Sequence, residues 1–180
     1  RTVMQAVFER LTAWLAPLIP FTMEEAWTTR YPDAHSNCMR VIPDTPAGWF
    51  DGEANALWQD VLTVLPVVTG ALELARRDKL IGSSLEAAPT VWIADPQLRE
   101  AIARVGAAET FRTSDATVDL SEPPEHAFKL QTVPPVGVAV SKADGEKCHR
   151  CWRVLPEVKA PKFLCERCDD AVAAWDAARA

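Results

Sequence analysis

The chain has 180 residues, 48% of them hydrophobic, and a formal net charge of −6 with a pI near 5.1, the profile of a folded protein with one core and a satellite. Such an acidic balance excludes a protein that grips nucleic acid with its whole exterior, so any contact of that kind has to be a local patch. Its apolar runs are interrupted by Pro17, Pro20 and Pro66, short of the roughly 20 residues that span a bilayer, and no secretory pattern stands at the start; the expectation is a cytoplasmic protein without a membrane segment.

Val3, Val7, Leu11, Trp14 and Leu18 recur at spacings of four, four, three and four, which predicts an amphipathic helix ending near Ala16, before Pro17 and Pro20. The chain opens inside this helical pattern and without Met, as a piece of something longer would. Thr22 and Glu25 read as a capping box with Phe21 as its staple, so a second helix is expected from Thr22 towards Arg30. Glu24 and Glu25 then fall in a first turn, where negative charge suits the helix dipole; this explains them better than catalytic pairing does. Residues 31–53, punctuated by Pro32, Pro43, Pro46, Gly48 and Gly52, predict a surface loop with an extended piece at 39–42. The lone Cys38 there reads as a buried or idle thiol.

A third and longest helix is expected over 55–79, with Leu57, Trp58, Val61, Leu62, Leu65, Val68, Leu72 and Ala75 on one face and a kink at Pro66. Arg76, Arg77 and Lys79 gather in its last turn and admit two readings, cations set against the negative helix end or contacts to phosphates. Beyond Gly82 the pattern changes to strand candidates at 91–93, 109–113 and 137–140, with a short helix over 96–105 that begins on a proline. This describes a small mixed α/β unit after a helical bundle. Residues 169–180 predict a final Ala-rich helix carrying Trp175.

The strongest chemical signal is Cys148-His149-Arg150-Cys151 answered by Cys165-Glu166-Arg167-Cys168 across a 13-residue loop, 152–164. Two Cys-x-x-Cys knuckles offer four thiolates to one tetrahedral Zn²⁺ and leave no open position, the pattern of a structural site. A disulfide pair is the weaker rival, since Cys38 leaves an odd count and no secretory segment precedes it. A redox dithiol needs only one knuckle and a βαβ setting that is absent here. His149 reads as facing solvent.

Around the knuckles Lys147, Arg150, Arg153, Lys159, Lys162 and Arg167 face only Glu157 and Glu166. Part of this basic island offsets the −2 charge of zinc with four thiolates. The remainder, with Trp152 as a flat face for a base, points to nucleic-acid contact.

Three runs together carry a resemblance: Pro17-Leu18-Ile19-Pro20-Phe21-Thr22-Met23-Glu24-Glu25-Ala26-Trp27, then Ala75-Arg76-Arg77-Asp78-Lys79-Leu80-Ile81-Gly82-Ser83-Ser84-Leu85-Glu86-Ala87, and the terminal knuckle pair. The chain resembles the C-terminal part of the bacterial isoleucyl-tRNA synthetases, a class I family. The fold implied is α+β and mainly α: an anticodon-binding helical bundle over 1–81, short of a helix or two, a small α/β junction over 82–140, and a zinc-binding tail over 141–180. The resemblance further implies one structural Zn²⁺ on Cys148, Cys151, Cys165 and Cys168, and a tRNA partner met by Arg76, Arg77, Lys79, Lys147, Arg150, Trp152 and Arg153. No DNA or membrane partner is implied, and the expected state is a monomer. ATP belongs to a catalytic part not in this sequence, because neither a His-Ile-Gly-His-type motif nor a Lys-Met-Ser-Lys-Ser loop occurs; no residue here is expected to be catalytic. Two rivals remain, the DNA-gripping zinc end of a formamidopyrimidine-type glycosylase and a zinc-stabilised protein-interaction module.

Overall fold

The computed structural model describes residues 2–179, and the chain divides into two compact units between Asp51 and Gly52. In the first unit, helix α1 (Thr2–Leu15) turns at Leu18 and Ile19, whose N–H groups both reach the Leu15 carbonyl. Helix α2 (Pro20–Arg30) follows. The Thr22–Glu25 capping box does not form. Pro20 opens the helix instead, its fixed φ and missing N–H suiting a first position, so Thr22 lies inside the helix and no side chain caps it.

The apolar positions of α1 also behave unexpectedly. Val3, Val7, Leu11, Trp14 and Leu18 are exposed, and α1 buries Thr12 and Ala13. The contacts within the unit are aromatic and polar: Phe8 stacks on Trp27 at 6.5 Å, and Trp27 lies 4.5 Å from Tyr31. The following loop is tied down by Arg40, which sits 3.7 Å over the Trp27 ring and donates to Thr12 Oγ1, Asn37 Oδ1 and the Glu9 carbonyl. Glu24 accepts from Ser36 Oγ and the Asn37 N–H. Its carboxylate is thus a loop anchor, and the extended piece expected at 39–42 finds no strand partner.

The second unit is built on helix α3 (Gly52–Arg77). It runs through Pro66 as a single helix, so that residue does not interrupt the apolar run. By length and composition alone α3 is apolar enough to cross a membrane. Here its Val61, Val64, Val67, Val68, Ala71 and Leu72 enter one core with the sheet. The helix closes on Lys79, whose φ of 59° lets Leu80 N–H reach the Ala75 carbonyl and Lys79 N–H the Arg76 carbonyl. That is a Schellman cap with lysine in the place glycine usually takes.

The sheet contains β1 (Thr90–Ile93), β2 (Thr117–Asp119), β3 (Phe128–Lys129) and β4 (Val136–Ala139), in the order β2-β1-β4-β3. β1 and β2 are parallel, with Val91 opposite Val118, and β4 runs antiparallel to both β1 and β3, with Val138 opposite Val91 and Phe128. The parallel pair requires a crossover, supplied by α4 (Pro96–Val105) and α5 (Ala107–Phe111). The strand expected at 109–113 is therefore mostly helix: after Gly106, with φ 83°, the chain makes one more turn before reaching β2. α3 approaches the sheet closely at Gly70, where a Cβ would meet the Phe128 ring at 2.8 Å.

The run from Gly82 to Ala87 joins α3 to this sheet. Glu86 accepts from the Gly82 N–H, while its carbonyl accepts from Ala143 N–H and the Ala87 carbonyl accepts from Ser114 N–H. α4 is capped by Asp95, which accepts from the N–H groups of Gln97 and Leu98. Asp95→Ala is expected to cost about 1 kcal/mol in urea unfolding, with Asp95→Ser recovering most of it; an equal loss in both variants would show that the cap contributes nothing.

Candidate metal centre and nucleic-acid interface

The knuckles are shaped by a two-stranded ribbon of β5 (Glu146–Lys147) and β6 (Val154–Leu155), with Lys147 opposite Val154. Gly145 precedes it at φ 111°, and a Cβ there would overlap the Leu155 carbonyl. Between the strands Cys148 N–H donates to the Arg153 carbonyl and Trp152 N–H to the Cys148 carbonyl, with Trp152 at φ 68°. This tight turn points Cys148 and Cys151 inward. The second knuckle rides on helix α6 (Glu166–Ala177), where Cys165 is the N-cap and Cys168 lies buried in the first turn.

The four sulfurs lie within 4.8 Å of one another. The Cys151 and Cys165 sulfurs are 3.7 Å apart, close to the ~3.8 Å edge of a tetrahedron with 2.3 Å Zn–S bonds and far from a disulfide. All five cysteines are free thiols. Around the cluster Val158 is fully buried with Leu155, Phe163 and Leu164 packed against it, and His149 stands outside, exposed and stacked 5.0 Å from Phe163.

The thiols are not equivalent. Burial pushes Cys148 up, but the N–H groups of Cys151, Cys165 and Arg150 outweigh it and bring its pKa down to about 6. Burial, reinforced by the hydrogen bonds that its S–H shares with neighbouring sulfurs, pushes Cys165 up to about 12. Cys148 is therefore the more readily ionised of the two, and Cys165 the one that holds its proton more tightly until a metal displaces it.

The candidate tRNA-contact residues fall into distinct groups. Arg150 reaches Cys168 Sγ at 3.7 Å, and Arg167 is held in its charged form by its hydrogen bond to Cys151; these two cations offset thiolate charge. Arg153 donates to the Ser114 carbonyl at 2.5 Å and to Glu109 at 3.4 Å. It joins the ribbon to the α/β sheet. Ser114, fully buried, completes that joint by donating to the Leu85 carbonyl and accepting from Val154 N–H; no local pattern marks it, because its partners are 29 and 40 residues away. Lys147 and Trp152 remain outward, with Nζ 5.7 Å from the ring and Trp152 61% exposed. In the α3 end, Arg76 pairs with Glu73 and Arg77 with Asp78 on the surface, contacts worth little in water. Lys79 is exposed.

Two family models match. Residues 1–91 match the anticodon-binding domain of tRNA ligase, and 145–171 match the zinc finger found in FPG and IleRS. The four-sulfur geometry and that match together define a structural zinc site, whose metal fixes the ribbon. The chain belongs to the anticodon-binding family of tRNA ligases and, within it, to the isoleucyl type. It is 50% identical to an isoleucine–tRNA ligase of Caulobacter vibrioides over 99% of this chain and 19% of that protein. The corresponding figures are 46%, 96% and 18% for the enzyme of Ruegeria pomeroyi, and 48%, 89% and 17% for that of Brucella abortus biovar 1. The chain thus spans about a fifth of the length of these curated relatives.

Zinc must displace the Cys165 proton and those of any other thiols still protonated, so its apparent affinity is expected to fall by at least roughly tenfold per pH unit as pH drops from 8 to 6, and more steeply below about 6, where Cys148 also protonates. Competition with a chelator at several pH values measures this; a flat profile contradicts the assignment. Arg153→Ala is expected to lower unfolding stability by about 1–3 kcal/mol while zinc content stays complete. Unchanged stability would remove Arg153 from the joint.

Proposed function

We propose that this chain is the tRNA-binding portion of a longer isoleucine–tRNA ligase, whose full-length form attaches isoleucine to its tRNA with ATP. On this reading 1–81 receives the anticodon stem-loop, 82–140 is a junction, and 141–180 secures the tRNA from another side. That functional division cuts across the packing, since α3 shares its core with the sheet. One combination carries the reading: an anticodon-binding match over 1–91 on the same chain as a zinc ribbon that presents Trp152 and Lys147 to solvent. Trp152 offers a face for an unstacked base, Lys147 a charge for its phosphate, and the metal keeps both in place.

Binding is the whole task of this portion; adenylate chemistry and ATP belong to the longer protein. Arg76, Arg77 and Lys79 form a second contact at the end of α3, where their weak surface pairs are readily exchanged for phosphate. Arg150 and Arg153 contribute mainly through the ribbon they hold. A cytoplasmic monomer with no DNA or membrane partner completes the proposal. The zinc-finger match is shared with the FPG proteins, but the anticodon-binding match and the relatives favour tRNA over DNA.

Titration of the zinc-loaded chain with isoleucine tRNA, with valine tRNA as competitor and at several salt concentrations, tests the proposal. Preference for the isoleucine tRNA is expected, and Trp152→Ala should weaken binding about 5- to 100-fold, the loss of one stacked base. Absence of binding would replace tRNA with a protein partner.

A further inference from the structure

The geometry points to a single-nucleotide site in the cleft where the zinc ribbon meets α5 and the turn after α3, with an unstacked RNA base between the walls and its phosphate against Arg112. The inference rests on the tRNA reading and names a contact that it does not contain. The cleft has a volume of about 420 Å³ and mainly apolar walls, with Leu85, Ala108, Glu109, Arg112, Thr113 and Arg153 among its lining residues. That volume falls within the usual range for small-ligand sites.

Three observations select the occupant. First, Arg112 ends α5 at φ 56°, is exposed, and among the described residues has no ion pair or side-chain hydrogen bond. It also borders an adjoining pocket of about 180 Å³ that reaches Arg76. Second, Arg153 is held by Ser114 and Glu109, which fixes a planar guanidinium as a cleft wall, a surface on which bases stack. Third, the buried Thr113 hydroxyl, on a residue 2% exposed, and Arg153 Nε both lack a hydrogen-bond partner among the described residues, so two residues of the cleft wall carry polar capacity that the fold itself leaves unused.

An apolar side chain in this cleft would leave Arg112 unmet. A bare phosphate would meet Arg112 but waste the apolar walls. A nucleotide suits both the walls and Arg112: its base has flat apolar faces and a donor-acceptor edge, for which Glu109 supplies an acceptor, and its phosphate is anionic.

The test is salt-dependent titration of the zinc-loaded chain with isoleucine tRNA, comparing the parent chain with Arg112→Gln, Arg112→Lys and Ala108→Leu, with zinc content and circular dichroism as controls on folding. Arg112→Gln should weaken binding about tenfold and reduce the salt slope by about 0.7, one phosphate of a single strand, and Arg112→Lys should restore the slope. Ala108→Leu, which fills the cleft, should weaken binding with the slope unchanged. If the parent chain binds tRNA and folded Arg112→Gln and Ala108→Leu bind equally well, the cleft assignment fails and the tRNA reading stands. If the parent chain does not bind, both fall together.

Discussion

Four cysteine sulfurs within 4.8 Å of one another are the constraint on which the C-terminal part of this protein depends. The ribbon strands have two residues each, far too little for a hairpin to persist in water, and the local core holds little beyond the cysteines and Val158. Metal binding supplies what apolar burial cannot, because ordering the ligands and folding the ribbon are one event. The left-handed Trp152 backbone and the close approach at Gly145 follow from that closure.

The ribbon's orientation comes from elsewhere. Ser114 and Arg153 connect it to the α/β sheet through short hydrogen bonds, and the turn after α3 is woven into the same region by Glu86 and Ala87. A rigid frame of this kind suits a binding surface, in which positions matter more than reactivity. It also distributes the positive charge of an acidic chain: Arg150 and Arg167 neutralise thiolates, Arg153 holds a joint, and Lys147, Arg76, Arg77, Lys79 and Arg112 face solvent, where a polyanion can reach them.

The N-terminal unit follows a different logic. Its helices meet through Phe8, Trp27 and Tyr31, and its loop is fastened by Arg40 and Glu24. The expected apolar stripe of α1 stays exposed. Periodicity therefore located the helix without saying which face would be covered. The capping box failed for a related reason: a proline two residues upstream offered an earlier start than the Thr22 side chain could.

The zinc ligands, the ends of α1 and α4, and β1 and β4 were all legible in the sequence, because spacing, proline positions and β-branched runs act locally and constrain the backbone wherever they occur. The helix at 109–111, where a strand was expected over 109–113, was decided by the crossover that a parallel β1–β2 pair demands, a requirement invisible until the pairing is known. So too were the tasks of the arginines. Arg150 and Arg153 are alike in the sequence, three residues apart in one basic run; only the fold brings Cys168 to one and Ser114 to the other. Local chemistry set the ligands and most of the elements, and long-range packing assigned the charges, since an electrostatic role depends on which groups are neighbours in space.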